Sequence, residues 1–463
     1  MPHAPLVIVA NTLPVRLARD DAGVERWAVS PGGLVSALAP VARAEGGAWI
    51  GWTGEADRTR DTFEHDGIRL VPVTVTAREV AGSYEGACNR MLWPLYHQAV
   101  QAPEYDRDWW GHYLAVNERF ATRTAEVAAR GAAVWIHDYH LQLVPAMLRR
   151  RRPDVRIGFF LHIPFPPEEL FARLPWRREV LEGMLGADVI GFQTLRDARN
   201  FARVADRRTA SRVAGRQARI DGRTARVDAY PISIDTRRYE ALARQPAGAR
   251  QAAAIQERLG RGRRMLLGVD RLDYTKGIDL RLEAFLQFLE DHPEARRNTV
   301  FVQVAVPSRE RIAEYQALRR RVEALVGQIN GQYAEVGSAI VHYLRRELPI
   351  EELVAMYLAA DVMVVTPLCD GMNLVAKEYV ATRLDNTGAL LLSEFAGSAA
   401  ELRTALHVNP HDVDGVAAGI AAALELPPEE RARRMQAMRR VVRRNTVHRW
   451  AAGFLEDLRR AGD

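Results

Sequence analysis

The chain has 463 residues, of which 48% are hydrophobic and 26% charged, as in globular proteins with domains of roughly 200 residues. Its formal charge of +6 comes from scattered arginines rather than a basic stripe with interleaved aromatics, which disfavours a nucleic-acid-binding protein. With two cysteines and no apolar run of about 18 residues, the sequence predicts a reduced, cytoplasmic protein without a disulfide framework, a CxxC metal site or a membrane span.

The first half of the chain alternates short apolar runs with longer amphipathic stretches. Strands are predicted at residues 6–10, 132–138, 157–162, 187–193 and 226–234. Between them, "LQLVPAMLRRRR" and "EELFARLPWRREVLEGML" have helical apolar spacing. This alternation predicts a parallel sheet covered by helices on both faces.

The same pattern restarts after a polar helical segment, residues 237–264, which we place at a domain junction. Further strands are predicted at residues 264–270, 299–306, 339–344, 361–367 and 389–394. Residues 446–460 form an amphipathic pattern that predicts a helix docked across a domain surface. Two consecutive α/β sheets predict a cleft, with ligands bound beyond the carboxyl ends of the strands.

One strand-to-helix corner in the second half suits a phosphate group. In "TPLCDGMNLVAKEYVA" a helix is predicted to start near Asn373, so the amides of Met372, Asn373 and Leu374 can bind an anion. Glu378 lies on the same helix face as Leu374 and can reach a sugar hydroxyl. The alternative is a plain turn, with Lys377 and Glu378 facing solvent.

A second corner, "GVDRLDYTKG", ends its strand in a polar group. Arg271 and Lys276 are predicted to face one diphosphate, with Asp273 orienting Arg271; a solvated charged loop is the alternative. A third strand exit, "QVAVPSRE", adds the cation Arg309. Lys276 and Lys377 are the two lysines in a chain that otherwise uses arginine, so a need for a compact charge is one explanation and biased composition the other.

The first half places polar groups at the ends of two strands, in "WIHDYHL" and "FFLHIPFP". Asp138 is predicted to accept hydrogen bonds from substrate hydroxyls, and His162 to donate one. Zinc is disfavoured because His137 and His140 point differently at a strand end and no further ligand follows at a usual spacing.

Aromatic residues and the absence of common motifs further restrict the possible classes of protein. Tyr84, Trp93 and His97 in "SYEGACNRMLWPLYH" either stack on sugars or pack in the core. GxGxxG, GxxxxGK[ST] and GxSxG do not occur, which removes sequence support for a dinucleotide-binding, P-loop or α/β-hydrolase protein.

These segments together resemble the trehalose-6-phosphate synthase family of retaining glycosyltransferases, family 20. The resemblance runs from about Leu6 to the C-terminus and includes "SPGGLVSAL", "LWPLYH", "IGFFLHIPFP", "QVAVPSR" and "LSEFAGSAAEL". It implies the α/β fold class GT-B, with two Rossmann-like doubly wound domains facing a central cleft. The implied domains are an acceptor-binding domain at residues 1–235, a nucleotide-sugar-binding domain at 236–445, and a helix at 446–463 that returns to the first domain.

The resemblance also implies the reaction and its residues. Glucose would move from UDP- or GDP-glucose to glucose 6-phosphate, giving α,α-trehalose 6-phosphate without a metal or other cofactor, and with neither nucleic acid nor membrane as a partner. The implied donor-binding residues are Gly33, His162, Arg271, Lys276, Asp370, Met372, Asn373, Leu374 and Glu378. The implied acceptor-binding residues are Tyr84, Trp93, Asp138 and Arg309. The implied catalytic set is Arg271, Lys276, Asp138, His162 and Asp370.

Two positions depart from the family pattern. Thr12 stands where the family usually has the arginine of "SNR", which contacts the acceptor phosphate; Arg16 could replace it if the loop folds back. Cys369 replaces the arginine common in "TPLRDG", which makes room for a purine and tilts the donor toward GDP-glucose. The rivals are a relative with another acceptor, such as a glucosylglycerol-phosphate synthase or a pseudo-sugar coupling enzyme, and a catalytically silent sugar-nucleotide binder. The sequence does not decide whether the chain forms a homo-oligomer.

Overall fold

A computed structural model describes residues 3–19, 25–30, 33–260 and 262–461 of the chain. The chain divides into two compact units. Unit 1 comprises Met1–Ile232 together with Val447–Asp463, and unit 2 comprises Ser233–Thr446. Both ends of the chain therefore belong to unit 1.

Unit 1 contains a ten-stranded sheet and a separate hairpin. Its strands are β1 Ala4–Thr12, β2 Val15–Arg19, β3 Glu25–Val29, β4 Ala48–Trp52, β5 Phe63–His65, β6 Ile68–Val73, β7 Ala128–His137, β8 Arg156–Leu161, β9 Val189–Phe192, β10 Arg212–Ala214, β11 Gln217–Ile220 and β12 Arg223–Ala229. The sheet order is β10-β11-β12-β9-β8-β7-β1-β4-β6-β5, with parallel pairing from β12 to β6, while β2 and β3 pair with each other.

The helices of unit 1 flank this sheet. They are α1 Gly33–Ala44, α2 Ala77–Glu79, α3 Trp93–Tyr96, α4 Arg107–Val127, α5 Val144–Arg151, α6 Glu168–Phe171, α7 Arg177–Met184 and α8 Leu195–Arg208, with a π-helical segment at Val80–Leu92 and a 3₁₀ turn at Tyr139–Leu141. The stretch "EELFARLPWRREVLEGML" makes two helices, α6 and α7, because Pro175 lies between them and disfavours a helical residue before it.

Unit 2 contains one six-stranded parallel sheet. Its strands are β13 Arg264–Arg271, β14 Thr299–Val306, β15 Val341–Leu344, β16 Val362–Val365, β17 Ala389–Ser393 and β18 Leu406–Val408, in the order β15-β14-β13-β16-β17-β18. Its helices are α9 Thr236–Ala243, α10 Pro246–Leu259, α11 Ile278–Asp291, α12 Ala295–Asn298, α13 Ala313–Tyr333, α14 Ile350–Ala359, α15 Leu374–Thr382, α16 Val413–Glu425 and α17 Pro428–Arg444, with 3₁₀ turns at Tyr274–Lys276 and Gly397–Ala400.

The last helix, α18 Val447–Arg460, packs on the sheet of unit 1. Its apolar face includes Trp450 and Phe454, and the Phe454 ring stacks on Trp135 of β7 at 4.5 Å between centroids. Gly158 of β8 lies directly beneath, where a Cβ would be 2.5 Å from the Phe454 ring. The prediction of a docked amphipathic helix at this end of the chain is confirmed.

The ten strands predicted from apolar runs are all present, at slightly different bounds. The predicted strand at 226–234 ends at Ala229, before Pro231, which cannot donate a ladder hydrogen bond. The prediction omitted β2 to β6, β10, β11 and β18. No helix in the described part of the chain has the length and apolarity needed to cross a membrane.

Candidate active site

In unit 2 the strand order reverses between β13 and β16, which is the switch point where open α/β sheets bind ligands. The exit of β13 passes through a 3₁₀ turn into Gly277, whose φ is 60°. A Cβ on Gly277 would lie 2.9 Å from the backbone oxygen of Thr366, which follows β16. Glycine therefore allows the two strand exits to touch.

Lys276 and Asp370 form an ion pair across this switch point. Lys276 Nζ lies 2.5 Å from Asp370 Oδ2, and the two side chains are 12% and 10% exposed. Asp370 also accepts hydrogen bonds from the Met372 amide and from Asn373 Nδ2, each at 3.2 Å. The carboxylate thus connects the ammonium group to the start of α15.

The start of α15 has the geometry of a capped helix. Asn373 has φ 59°, and its Oδ1 accepts a hydrogen bond from the Ala376 amide at 3.2 Å. The prediction that a helix starts near Asn373 is confirmed. The N-terminal end of a helix carries partial positive charge and favours an anion. Here that end is formed by Met372, Asn373 and Leu374, next to Lys276.

A buried arginine that the sequence analysis missed supports Lys276. The Arg281 guanidinium, on α11, donates to Asp270 Oδ2 at 2.6 Å and to Gln303 Oε1 at 3.1 Å, and its side chain has no exposed surface. It also donates to Thr366 Oγ1 at 2.9 Å and to the backbone oxygen of Lys276 at 3.3 Å. Burial raises the pKa of Asp270, although the Arg281 charge opposes this. The network joins β13, β14 and the exit of β16 and holds the Lys276 backbone in place.

Arg309 is held by Asp273 rather than standing alone at its strand exit. The Arg309 guanidinium donates to Asp273 Oδ2 at 2.9 Å and to the Tyr315 hydroxyl. Arg271 Nη2 lies 3.9 Å from the same Asp273 oxygen. The predicted contact between Asp273 and Arg271 is therefore weaker than the contact between Asp273 and Arg309. Arg309 also has φ 49°, a value rare for residues other than glycine.

Lys377 and Glu378 follow each other on α15 but have different surroundings. Glu378 Oε2 accepts a hydrogen bond from the Tyr357 hydroxyl at 2.9 Å, and burial raises the pKa of Glu378. Lys377 forms an ion pair with Glu401 and is 1% exposed. The alternative in which Lys377 faces solvent is therefore wrong.

In unit 1 the order of the parallel strands reverses between β1 and β7. Asp138 follows β7 with φ 74°, a strained value of the kind that often marks functional sites. Its amide donates to the Phe160 oxygen at 2.7 Å, and its Oδ1 accepts from the His162 amide at 3.2 Å. The structure thus brings together Asp138 and His162, as expected for the ends of neighbouring strands.

The imidazole of His162 contacts a second histidine. His162 Nε2 lies 3.1 Å from His137 Nδ1. Burial lowers the pKa of His162 to about 3, and burial together with the neighbouring His162 lowers the pKa of His137. Both rings are therefore neutral at physiological pH, and a neutral imidazole donates one hydrogen bond and accepts one.

The two aromatic candidates lie in different surroundings. Tyr84, on the π-helical segment, stacks on His140 at 5.9 Å between centroids, and His140 Nδ1 lies 3.9 Å from Asp138 Oδ2. Tyr84 therefore belongs to the Asp138 neighbourhood. Trp93 is 4% exposed and packs on His97 at 4.0 Å, which matches the core-packing alternative; its role toward an acceptor stays a prediction.

Three candidate residues lie near the N-terminal end of the chain, and Gly33 follows two residues outside the described ranges. Thr12 is exposed at the end of β1, and Arg16 lies on β2, opposite Ala28 of β3. Gly33 is the first residue of α1. Within the described residues, no three His, Cys, Asp or Glu side chains are grouped to hold a metal ion.

Polar groups thus lie at the switch point of a doubly wound sheet in each unit, an architecture that GT-B glycosyltransferases share. The profile of glycosyltransferase family 20 matches residues 4–460, and the chain belongs to this family. The α/β fold class predicted from the sequence, with two Rossmann-like doubly wound domains, is confirmed, as is enzymatic function as a glycosyltransferase.

Individual relatives match nearly the whole chain. Over 466 residues it is 54% identical to the trehalose-6-phosphate synthase of Mycolicibacterium smegmatis, covering 99% of this chain and 93% of that one. A UDP-forming α,α-trehalose-phosphate synthase from Burkholderia vietnamiensis superimposes with a TM-score of 0.92 at 34% identity, covering 99% and 98% of the two chains. The Burkholderia xenovorans enzyme in complex with glucose-6-phosphate gives 0.90 at 34% identity, covering 98% and 100%.

Proposed function

We propose that this chain transfers glucose, with retention of configuration, from UDP-glucose or GDP-glucose to glucose 6-phosphate, giving α,α-trehalose 6-phosphate. The observation that carries the proposal is the Lys276–Asp370 pair beside the start of α15, at the switch point of a sheet with Rossmann strand order. The trehalose-6-phosphate synthase that is 54% identical over 99% of this chain supports the same reaction here.

Unit 2 supplies the donor site in this proposal. Lys276 and Arg271 stabilise the negative charge that develops on the leaving phosphate, which is commonly the largest electrostatic contribution to such catalysis. A compact ammonium suits one phosphate oxygen, whereas a guanidinium fork can bind two. The leaving phosphate accepts the proton of the attacking hydroxyl on the face where the new bond forms, so retention needs no enzymic nucleophile. Glu378 binds the ribose, and Asp370 binds a hydroxyl of the donor glucose.

The acceptor side rests on groups with hydrogen-bonding capacity. Asp138 accepts from acceptor hydroxyls, Tyr84 and Trp93 flank the sugar, and Arg309 binds its phosphate. His162 donates to the glucose being transferred. A solved relative that carries glucose-6-phosphate supports this acceptor.

Thr12 favours a second candidate, the same transfer to a different acceptor. The family's arginine at this position would meet the acceptor phosphate, and exposed Thr12 brings no charge. The second candidate is therefore a glucosylglycerol-phosphate synthase or a pseudo-sugar coupling enzyme.

Cys369 bears on which nucleotide the glucose donor carries. Its thiol is fully buried beside Asp370, where the family commonly has a larger arginine, and this favours testing GDP-glucose beside UDP-glucose. The buried thiols of Cys88 and Cys369 also suit a reducing cytoplasm, where we place the reaction.

The test is nucleoside diphosphate release by the purified chain, with UDP-, GDP- and ADP-glucose each combined with glucose 6-phosphate. Release with one donor that stops when the acceptor is omitted, together with an α,α-linked product by NMR, supports the proposal. Donor binding by calorimetry without release in any combination would reject glucose 6-phosphate and favour the second candidate, tested with glycerol phosphate and amino-cyclitols.

A further inference from the structure

Asn89 is a buried polar residue of the π-helical segment that the proposed mechanism does not use. It is 2% exposed, and both ends of its side-chain amide form hydrogen bonds. Nδ2 donates to the backbone oxygen of Tyr84 at 2.7 Å, and Oδ1 accepts from the Tyr139 hydroxyl at 3.0 Å. The opposite orientation of the amide would set Oδ1 against a carbonyl oxygen, so these two partners determine which end donates.

The first of these hydrogen bonds acts on the turn that carries Tyr84. A π-helix joins residues that are five apart, and Asn89 is five residues beyond Tyr84. Most π-helices are limited to a single turn, whereas this segment has 13 residues. The Asn89 side chain therefore reinforces, from the buried side, a turn of a kind that rarely persists.

The second hydrogen bond reaches the residue that directly follows Asp138. Tyr139 is 1% exposed, and its backbone oxygen accepts from the Tyr113 hydroxyl at 2.7 Å and from Gln142 Nε2 at 3.1 Å. Tyr139 is thus held through its backbone as well as through its side chain. It gives Asn89 a fixed anchor beside Asp138.

The groups joined in this way meet again at the surface of unit 1. The rings of Tyr84 and His140 stack at 5.9 Å between centroids and 13° between planes, and His140 Nδ1 lies 3.9 Å from Asp138 Oδ2. The side chains of His140 and Asp138 are 13% and 21% exposed, whereas Asn89 is buried. The side chains that a ligand can touch therefore lie outside, and the amide that joins their backbones lies beneath them.

We propose that Asn89 is a positioning residue of the acceptor site, because its amide links the turn that carries Tyr84 to the residue after Asp138. The link sets the separation between the Tyr84 ring and the Asp138 carboxylate. Under the proposed function, on which this role rests, Tyr84 flanks the acceptor sugar and Asp138 accepts from its hydroxyls. A displacement of about 1 Å in such an arrangement can cost about 100-fold in rate.

Steady-state kinetics with the active donor test this role. Asn89→Leu removes both hydrogen bonds at similar volume, and we expect it to lower kcat/KM for glucose 6-phosphate about 10- to 100-fold while KM for the donor stays near the wild-type value. Asn330→Leu is the matched control, because Asn330 on α13 likewise donates to a backbone oxygen, that of Val341, at 2.9 Å. Equal losses in the two leucine variants, or none in Asn89→Leu, would overturn the proposal.

A double-mutant cycle with Tyr84→Leu separates positioning from packing. Once the Tyr84 ring is absent, Asn89→Leu should cost little more, and fully additive losses would refute the link. Asn89→Asp is the second variant should leucine prevent folding, because it keeps the size and the hydrogen bond from Tyr139. An ionised carboxylate cannot donate to the Tyr84 oxygen, so its loss of kcat/KM should grow as the pH rises. Wild-type kcat/KM at every pH in Asn89→Asp would contradict the proposal.

An NMR measurement that needs no activity distinguishes failure of this inference from failure of the proposed function. In protein labelled with ¹³C-histidine, the signal that vanishes in His140→Asn identifies His140, and Tyr84→Leu shifts it by removing the stacked ring. Asn89→Leu should shift it in the same direction in the wild-type background and add no shift in the Tyr84→Leu background. An undiminished shift in that background would overturn the inference. If the wild-type chain releases no nucleoside diphosphate from any donor, the proposed function fails, and this spectrum still decides whether Asn89 holds Tyr84.

Discussion

Lys276 and Lys377 are two lysines among 64 Lys and Arg residues, and each one forms an ion pair with a carboxylate. A compact ammonium fits such a contact better than a planar guanidinium with five donors. Lys276 lies at the switch point of its sheet, whereas Lys377 is enclosed with Glu401. We therefore expect substitution of the first to reduce catalysis and of the second to reduce stability.

Replacing Lys276 with alanine should remove about 3–4 kcal/mol of transition-state stabilisation, the effect of losing one preorganised charge-stabilising donor. This loss is measured as a lower kcat/KM. The measurement is steady-state kinetics with the active donor. Arg319→Ala is the matched control, because Arg319 forms an exposed pair with Glu323 on α13 and should leave kcat/KM near the wild-type value. A Lys276→Ala enzyme as active as this control would contradict the assigned role.

Replacing Lys377 with methionine should destabilise the protein by about 1–3 kcal/mol, because Glu401, whose side chain is 11% exposed, then keeps only the hydrogen bond from Asn445 and loses its ammonium partner. Urea denaturation gives the free energy of unfolding. The double variant Lys377→Met/Glu401→Leu removes both charges and should be more stable than the single variant. Single and double variants of equal stability would show that the pair carries no such coupling.

The capping box before the π-helical segment contains Glu79, whose carboxylate stabilises the fold over a defined pH range. Glu79 accepts two hydrogen bonds from Arg119, at 2.7 and 2.8 Å, and one from the Thr76 amide at 2.9 Å. Burial alone would raise the pKa of Glu79, but these bonds lower it to about 2. The stabilisation is complete above the ordinary pKa of 4.5 and disappears as the pH falls toward 2.

We expect Glu79→Gln to have a lower Tm than the wild type at pH 6, with the difference shrinking steadily between pH 4.5 and 2. Glu126→Gln serves as the control, since Glu126 pairs with Arg123 at the surface and should change Tm little at any pH. Scanning calorimetry across this range makes the comparison. A Tm difference for Glu79→Gln that did not change with pH would assign the effect to shape rather than charge.

Two glycines near the contact between α18 and β8 differ in the space available for a side chain. A Cβ at Gly158 would meet the Phe454 ring at 2.5 Å, whereas a Cβ at Gly453 would meet nothing within 4 Å. Gly158→Ala should therefore destabilise the protein by about 1–3 kcal/mol through overpacking. Gly453→Ala should stabilise it by up to about 1 kcal/mol, because alanine favours the helix. Urea midpoints test both, and the same sign of change in both variants would refute this packing.

The C-terminal helix α18 belongs to unit 1, the same unit as the N-terminal strands. Trp450, Phe454 and Leu458 are buried on α18, and burial of each such side chain contributes about 1.5–3 kcal/mol. This is a large part of the about 5–15 kcal/mol that stabilises a typical domain.

Truncation after Thr446 should therefore loosen unit 1 and leave unit 2 folded. Hydrogen exchange followed by mass spectrometry should show faster exchange in β7, β8 and β9, while β13 and β14 keep wild-type protection as the internal control. Unchanged protection in β7 to β9 would mean that the C-terminal helix contributes little to the core of unit 1.

The α/β class, ten strands with strong apolar runs and most candidate residues could be predicted from the sequence, because short apolar runs and the polar residues after them are local signals. The prediction missed the polar strands β10 and β11, whose residues carry little periodicity, and also missed β4 and β6, which are apolar and buried. It also identified the family, because many long motifs occur in order.

Which of these groups come into contact depends on the tertiary structure. Lys276 and Asp370 are 94 residues apart, and His137 and His162 are 25 apart. The support of Lys276 by Arg281 and the enclosure of Lys377 by Glu401 likewise depend on which strands and helices become neighbours. Strand order and side-chain pairing across a sheet arise from packing between distant segments, and a local sequence pattern does not encode them.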